Sequence, residues 1–501
     1  MTPRASRADV EQLLRDIGQM GRYVYAEQES ASTLLRGYLP LPEHARALSP
    51  ETVLIVGDRG VGKSELFRAI GAEGGVDAIL RWAGAPGLEH LGESAWLVGY
   101  TATGTEYPAA HVFAQFAAER DAGEVSVVWL GLLLRCLMRS QRLQRTALPP
   151  AVGGDRGVLD GPASPAGLFG AVSQNLEPCF TAVDRLDAEL SAADKWVFVT
   201  YDELDRIGAG NWDALRAILQ GLIQFWSAYV RRWSRIRPKI FLRRDLYERE
   251  ALRGPDVSKL AAQRVELVWT TRNLYALAAK RLVNSSDRLR RYFEPTGLPG
   301  EDAGALGWLP TAKAENDYRP FVEHLCGELM GPHRKRGYSF TWIPRHLQDA
   351  NNRVFPRSIV GFFGAAAEIE SVHRKARYPR LLHHTSLRGA VDKVSEKRVD
   401  ELEKEEFPWL RTVRNQIRAQ AQSRRVPMER RDLERLLASI DWDATAETPP
   451  ERTGRGLLQL LMELGIFYSR GAGQVGERVD VRDLYLKGFG LLRRGGVERP
   501  H

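Results

Sequence analysis

A disulfide frame needs an even set of thiols and a zinc knuckle needs closely spaced ones, and this 501-residue chain holds only Cys136, Cys179 and Cys326. They lie far apart, form no CxxC and no even set, and so point to a reducing compartment. Long apolar runs are missing too. The best stretch, VSVVWLGLLL at 125–134, stops at Arg135, well short of the roughly 20 residues a membrane-spanning helix needs. The opening MTPRASRADVEQ lacks the apolar core of a secretion signal. No NKxD guanine reader occurs, and no segment repeats at a fixed period. The adjacent His383 and His384 have no obvious carboxylate partner, which leaves a metal site there unsupported. These absences predict a cytoplasmic protein with no membrane contact, no structural metal and no preference for GTP.

What is present suits a globular chain: 44% of residues are apolar and 27% charged, enough for large cores in about two to four domains. The formal charge is +8, which allows nucleic acid as a partner without requiring it. The distribution says more. Residues 331–400 carry fourteen Lys/Arg against six Asp/Glu, and RRWSRIRPKIFLRR (231–244) has seven basic residues and no acid. Such clusters either attract phosphate or form a solvated face, and the sequence leaves both open.

Periodicity divides the chain into an N-terminal helical lead-in (1–50), an α/β core (51–295), a helical segment (317–407) and a C-terminal module (408–501). Short β-branched strands at TVLIV (52–56), SAWLVGYT (94–101), WVFVTY (196–201), KIFLRR (239–244) and RVELVWT (264–270) alternate with helices, the signature of a parallel sheet. Pro/Gly-rich stretches at 148–167 and 294–316 read as a loop and a flexible break. Near the end, helices around 409–421, 429–439 and 455–465 precede IFYSRGAGQVGERVDVRDLY, two strands and a turn, which together predict a winged helix. Trp129, Trp196 and Trp226 are expected to pack around the sheet.

Between the first strand and its helix stands Gly57-Asp58-Arg59-Gly60-Val61-Gly62-Lys63-Ser64, followed by Glu65, a match to GxxxxGK[ST]. Glycines let the backbone turn so that successive N–H groups converge on phosphate oxygens. Lys63 would reach the β- and γ-phosphates, and the Ser64 hydroxyl would ligate Mg²⁺. The helix that follows aims its positive dipole end at the same anion. The spacing therefore predicts ATP held with Mg²⁺.

The strand WVFVTY delivers Asp202 and Glu203 to its C-terminal edge, where ligands of parallel sheets gather. Asp202 would hold Mg²⁺ through water, and Glu203 would polarise the attacking water. The competing reading makes the pair helix caps, and Asp205 is expected to cap the next helix. KIFLRR ends at Arg243 and Arg244, either of which could sense the γ-phosphate; the alternative is pairing with Asp245 or Glu248.

With these motifs in place, residues 50–490 resemble the AAA-like and STAND-like P-loop ATPases, a class that includes origin-recognition ATPases. The likeness is strongest to bacterial members with a DELD acid motif, an FLR sensor strand and a C-terminal winged helix. The resemblance implies a parallel P-loop NTPase sheet followed by a helical lid and a winged-helix domain. It also implies a nucleotide-sensing arginine at the lid's base; FPRSIVGFF makes that Arg357. Ring-forming relatives use a trans-acting arginine, for which Arg253 or Arg264 matches by position only. The third helix of the winged module, RTGRGLLQLLMELGI, is nearly all apolar after Arg455, which suits docking on protein better than reading bases. The terminal LYLKGFGLLRRGG either folds back on the ATPase core or contacts phosphate. The expectation is a slow, regulated, Mg-dependent ATPase acting as a conformational or assembly switch. It would associate with itself or a protein partner, and by analogy could serve bacterial defence against mobile DNA. The alternative is a DNA loader or remodeller that grips DNA through 331–400. A small-molecule kinase is disfavoured by Glu203.

Overall fold

The computed structural model describes residues 6–22, 30–154, 157–161, 163–207, 211–249, 260, 262–420, 425–442, 448–473 and 476–494. By packing, the chain divides into two compact units. One is Ala26–Val268 with Ala303–Gly307; the other is Met1–Tyr25 with Trp269–Asp302 and Trp308–His501. The sequence-based borders at 50 and 295 both fall inside a unit. The reason is visible in the helix Arg7–Arg22, whose buried Leu13, Leu14, Ile17 and Met20 pack in the same unit as the helix Pro356–His373, its main neighbour. An amphipathic stripe announces that it will be covered, but not by what.

The first unit is built on five parallel strands: β1 (Leu54–Gly57), β2 (Ala95–Tyr100), β3 (Val197–Tyr201), β4 (Ile236–Arg243) and β5 (Arg264–Glu266). Their order is β2-β3-β4-β1-β5, so the arginine-tipped β4 lies between the loop strand and the acid strand. Every residue of β1 and β3 is buried, as their unbroken apolar runs require in a sheet covered on both faces. The apolar run at 125–134 lies within the helix Ala122–Arg139, started by the Asp121 carboxylate, which accepts from the Glu124 N–H at 2.9 Å. That helix packs with Trp212–Tyr229, and the Trp129 indole donates to Ile218 O at 3.0 Å. Trp129 and Trp226 are buried among Tyr100 and Tyr201; Trp196 is half-buried and stacks on Phe198.

In the second unit the expected flexible break holds a small antiparallel hairpin, β6 (Gly300–Asp302) with β7 (Trp308–Pro310). The lid helices Arg319–Cys326, Pro356–His373 and His384–Glu405 follow. The winged helix forms from helices Leu410–Ala419, Arg430–Ala438 and Gly454–Glu463. Around them lie β8 (Arg425–Val426), β9 (Met428–Glu429), β10 (Phe467–Gly473), β11 (Gly476–Val481) and β12 (Leu492–Arg493). β10, β11 and β9 make the wing sheet, while β12 pairs with β8. The C-terminal segment folds back on the lid helix His384–Glu405. Gly488 N donates to Ser395 Oγ at 2.9 Å, and a Cβ on Gly488 would stand 2.3 Å from Val399 Cγ2. Only glycine fits that approach. No helix among the described residues is long and apolar enough to cross a membrane.

Candidate functional site

The loop after β1 turns through two left-handed glycines, Gly60 at φ 78° and Gly62 at φ 100°. A Cβ at Gly62 would meet nothing within 4 Å, so its glycine is required by backbone conformation alone. Gly62 opens the helix Lys63–Gly71, with Glu65 in its first turn. Lys63 folds its ammonium into the loop, donating to Gly57 O at 2.8 Å and Asp58 O at 3.0 Å. Burial pulls the lysine below its ordinary range, opposed by the fields of Asp205 and Asp202.

The acid strand closes on this loop. Ser64, the Glu203 main chain and Lys63 lie close enough to the Asp202 carboxyl to favour its ionised form. Asp202 is 4% exposed, and burial raises its pKa to about 6 despite those neighbours. The structure therefore brings the loop and Asp202 together as the sequence requires.

Glu203 sits at φ 57°, a left-handed backbone that non-glycine residues seldom adopt outside constrained sites. Its Oε2 accepts from Thr101 Oγ1 at 2.6 Å and from Thr103 Oγ1 at 3.3 Å, and its Oε1 pairs with Arg206 at 2.7 Å. The two threonines and Arg206 were not foreseen from the sequence. A signal existed: YTATGT follows the strand that lies beside the acid strand, so its hydroxyls reach the same sheet edge.

Arg243 is in register with Gly57 across β4 and β1. It is nearly buried, and it pairs with Asp245 at 2.8 Å and Asp205 at 3.3 Å. Burial pushes the Asp205 carboxyl up, but Arg243, Lys63 and Arg59 outweigh it and hold the acid below the usual range. Asp205 thus departs from the expected capping role. The helix Trp212–Tyr229 is capped by Asn211, whose Oδ1 accepts from Ala214 N at 3.0 Å. Arg244 pairs with Glu266 of β5 and with the loop's Asp58, reaching Asp58 Oδ1 at 3.4 Å. Val61 is buried, its N–H on Asp58 O at 3.4 Å.

The remaining arginines fare differently. Arg357 lies in the second unit, where its Nη1 faces Glu401 Oε2 at 3.4 Å; a nucleotide role for it stands on the sequence resemblance alone. Arg264 opens β5 with its guanidinium 4.8 Å from the Tyr247 ring centroid, and Arg253 lies outside the described residues. Among the described residues no group of three or more His, Cys, Asp or Glu could hold a metal by itself. Mg²⁺ would thus depend on Ser64, Asp202 and oxygens of the nucleotide, a donor set of hard oxygens that fits this ion.

No family model and no curated protein matches this chain. Among solved structures it is similar to the Aeropyrum pernix ORC2 protein in its ADPNP–ADP complexes: 13% identity over 87% of this chain and 86% of that one, TM-score 0.37. The Aeropyrum pernix ORC1 protein in complex with DNA shares 14% identity over 92% and 96% of the two chains, TM-score 0.36. Cdc6p from Pyrobaculum aerophilum shares 13% over 87% and 86%, TM-score 0.29. Likeness this remote leaves the reading to the residues of the site.

Proposed function

We propose that the chain binds ATP at the 57–64 loop and hydrolyses it slowly, using the cycle as a conformational or assembly switch. The proximity of Ser64 and Lys63 to Asp202 carries this reading, because it brings the phosphate loop and the acid strand together at one sheet edge. In this reading the loop N–H groups and Lys63 grip the β- and γ-phosphates. When bound, Mg²⁺ would neutralise phosphate charge beside Ser64 and Asp202. Arg243 is the better placed γ-phosphate sensor, since it lies in the field of Lys63 while Arg244 faces β5. Glu203 takes the proton of the attacking water. Its carboxylate is engaged by Thr101, Thr103 and Arg206, so it must be released before it can act, which supports a low basal rate.

The proposed division assigns 51–295 to the ATPase core, 317–407 to a lid with Arg357 near its base, and 408–501 to a docking module. The switch would couple to self-association or a protein partner. A role in defence against mobile DNA has no support in the structure or the comparisons. The second reading, a DNA-associated remodeller, is favoured by the clustered cations of 331–400.

Phosphate release from ATP, with and without Mg²⁺, tests the first reading in the native chain and in Glu203→Gln. The variant should keep ATP affinity and lose turnover by about 100-fold or more. Equal turnover in both proteins would remove Glu203 from the mechanism, and no ATP binding at all would end the reading. A change in particle mass between ATP and ADP would mark the switch as one of assembly.

A further inference from the structure

Two surface stretches of the second unit contain no acidic residue: 329–348 and 371–391. The first is a hairpin, tied by Met330 N to Gly337 O at 2.9 Å and Ser339 N to Glu328 O at 2.8 Å, with Arg334, Lys335 and Arg336 exposed at its tip. The second presents exposed Lys375, Arg377 and Arg380. The buried Glu370 clamps this loop at both ends, accepting from Ala376 N at 2.6 Å, His383 N at 3.1 Å and Ser386 Oγ at 2.6 Å.

The two stretches are held side by side. Leu381 N and Leu382 N both donate to Leu325 O at 3.0 Å, and Arg388 Nη2 donates to Met330 O at 2.9 Å. Burial first, then His383, Arg388, Lys375 and Arg336, pull His384 below its ordinary range, so cations from both loops converge there. Among the described residues none of the six exposed cations forms an ion pair with a carboxylate, whereas their neighbour Arg374 pairs with Glu11 at 2.9 Å.

The wing, where a reader of DNA would carry its charge, is neutralised instead. Arg478 pairs with Glu429 and Arg430 with Glu477, each at 2.8 Å, while Arg470 and Arg493 both engage the buried Asp480.

We propose that the hairpin 329–338 and the loop 374–383 form a sequence-independent docking surface for the phosphate backbone of duplex DNA. Four of the six cations are arginines, whose planar fork matches phosphate oxygens in pairs. Their mounting is preorganised by main-chain bonds and a buried carboxylate, which suits a stiff polyanion of fixed phosphate spacing over a fluid lipid surface. The surface deepens the DNA-associated reading and does not depend on ATP hydrolysis.

The test measures binding of a random-sequence fluorescent duplex to the full chain across a salt series, without nucleotide. Native protein should bind with a steep salt slope. The triple variant Arg334→Ala/Lys335→Ala/Arg336→Ala should bind at least about 10-fold more weakly, its slope shallower by about 2–3. Arg377→Ala/Arg380→Ala should act in the same direction, and Arg455→Ala on the winged helix should change neither quantity. Lys63→Ala should keep native DNA affinity, which separates failure of this surface from failure of the nucleotide site. The proposal is overturned if native protein binds no duplex or binds anionic vesicles alone. It is also overturned if the loop variants keep the native slope, or if Arg455→Ala removes binding.

Discussion

The two ends of one sheet each hold a lysine, half-buried at one end and fully buried at the other, and the two keep different company. Lys63, at the C-terminal edge, lies in the field of Asp202, Asp205 and Asp245 and next to Arg243. Lys239, inside β4 toward the opposite end, is fully buried; it donates to Ser49 O and, at 2.6 Å, to Thr52 O, and sits 5.1 Å from the Phe198 ring centroid. Burial drives both lysines down from their ordinary range. What differs is the surroundings. Around Lys63, charges of both signs gather with backbone donors, an arrangement that stabilises a bound anion and its counter-ion. Around Lys239 two carbonyls fix the segment leading into β1, and Glu51 is the carboxylate whose field reaches it. A desolvated ammonium alone therefore does not tell the two ends apart; the three carboxylates and the arginine around Lys63 do.

That contrast can be broken by substitution. Lys63→Ala should weaken ATP binding by about 100-fold or more, as befits loss of a charge-assisted phosphate contact, and should lower the urea midpoint less than a change at Lys239, because the two carbonyl partners of Lys63 are only partly buried. Lys239→Met should do the reverse. Two buried carbonyls lose their donor, lowering unfolding free energy by about 1–3 kcal/mol while ATP affinity stays native. If Lys239→Met also lost ATP, the division between the two ends would fail.

pH sharpens the comparison. Asp202 is raised from 3.8 to about 6, so the fold favours its protonated form. Its contribution to stability is complete below pH 3.8 and is lost as pH rises through about 6. Nucleotide with Mg²⁺ requires the ionised form, so binding should run oppositely, falling toward about tenfold per unit below pH 6. Calorimetric titration of ATP·Mg²⁺ between pH 5 and about 8 reads this directly. The smallest effect is expected from Thr101→Val. Removing one donor from Glu203 should raise basal phosphate release by about two- to five-fold at unchanged affinity. A slower variant would mean that Thr101 positions Glu203 for catalysis instead of restraining it.

Much of what the sheet edge brings together is legible in the sequence. The glycine spacing before Lys63 and the apolar strand ending in Asp202 and Glu203 are local patterns, and local patterns survive in a linear sequence. The helices of the winged module emerged within a few residues of expectation for the same reason. What escaped were contacts between strands adjacent only in space: Thr101 on Glu203, Asp205 on Arg243 rather than on its own helix, and Arg244 on Glu266. The fold-back of 483–491 onto Ser395 and Val399 was equally hidden, because an apolar tail fits many surfaces.

By itself the sequence determined the glycine-rich loop, the neighbouring acids and a parallel sheet to carry them, since each follows from residue type at short spacing. Only the tertiary structure decided which arginine lies in the field of Lys63, which side chains bond Glu203, and which cations are already paired. Charge compensation depends on distance through space, and the order of residues along the chain does not record it.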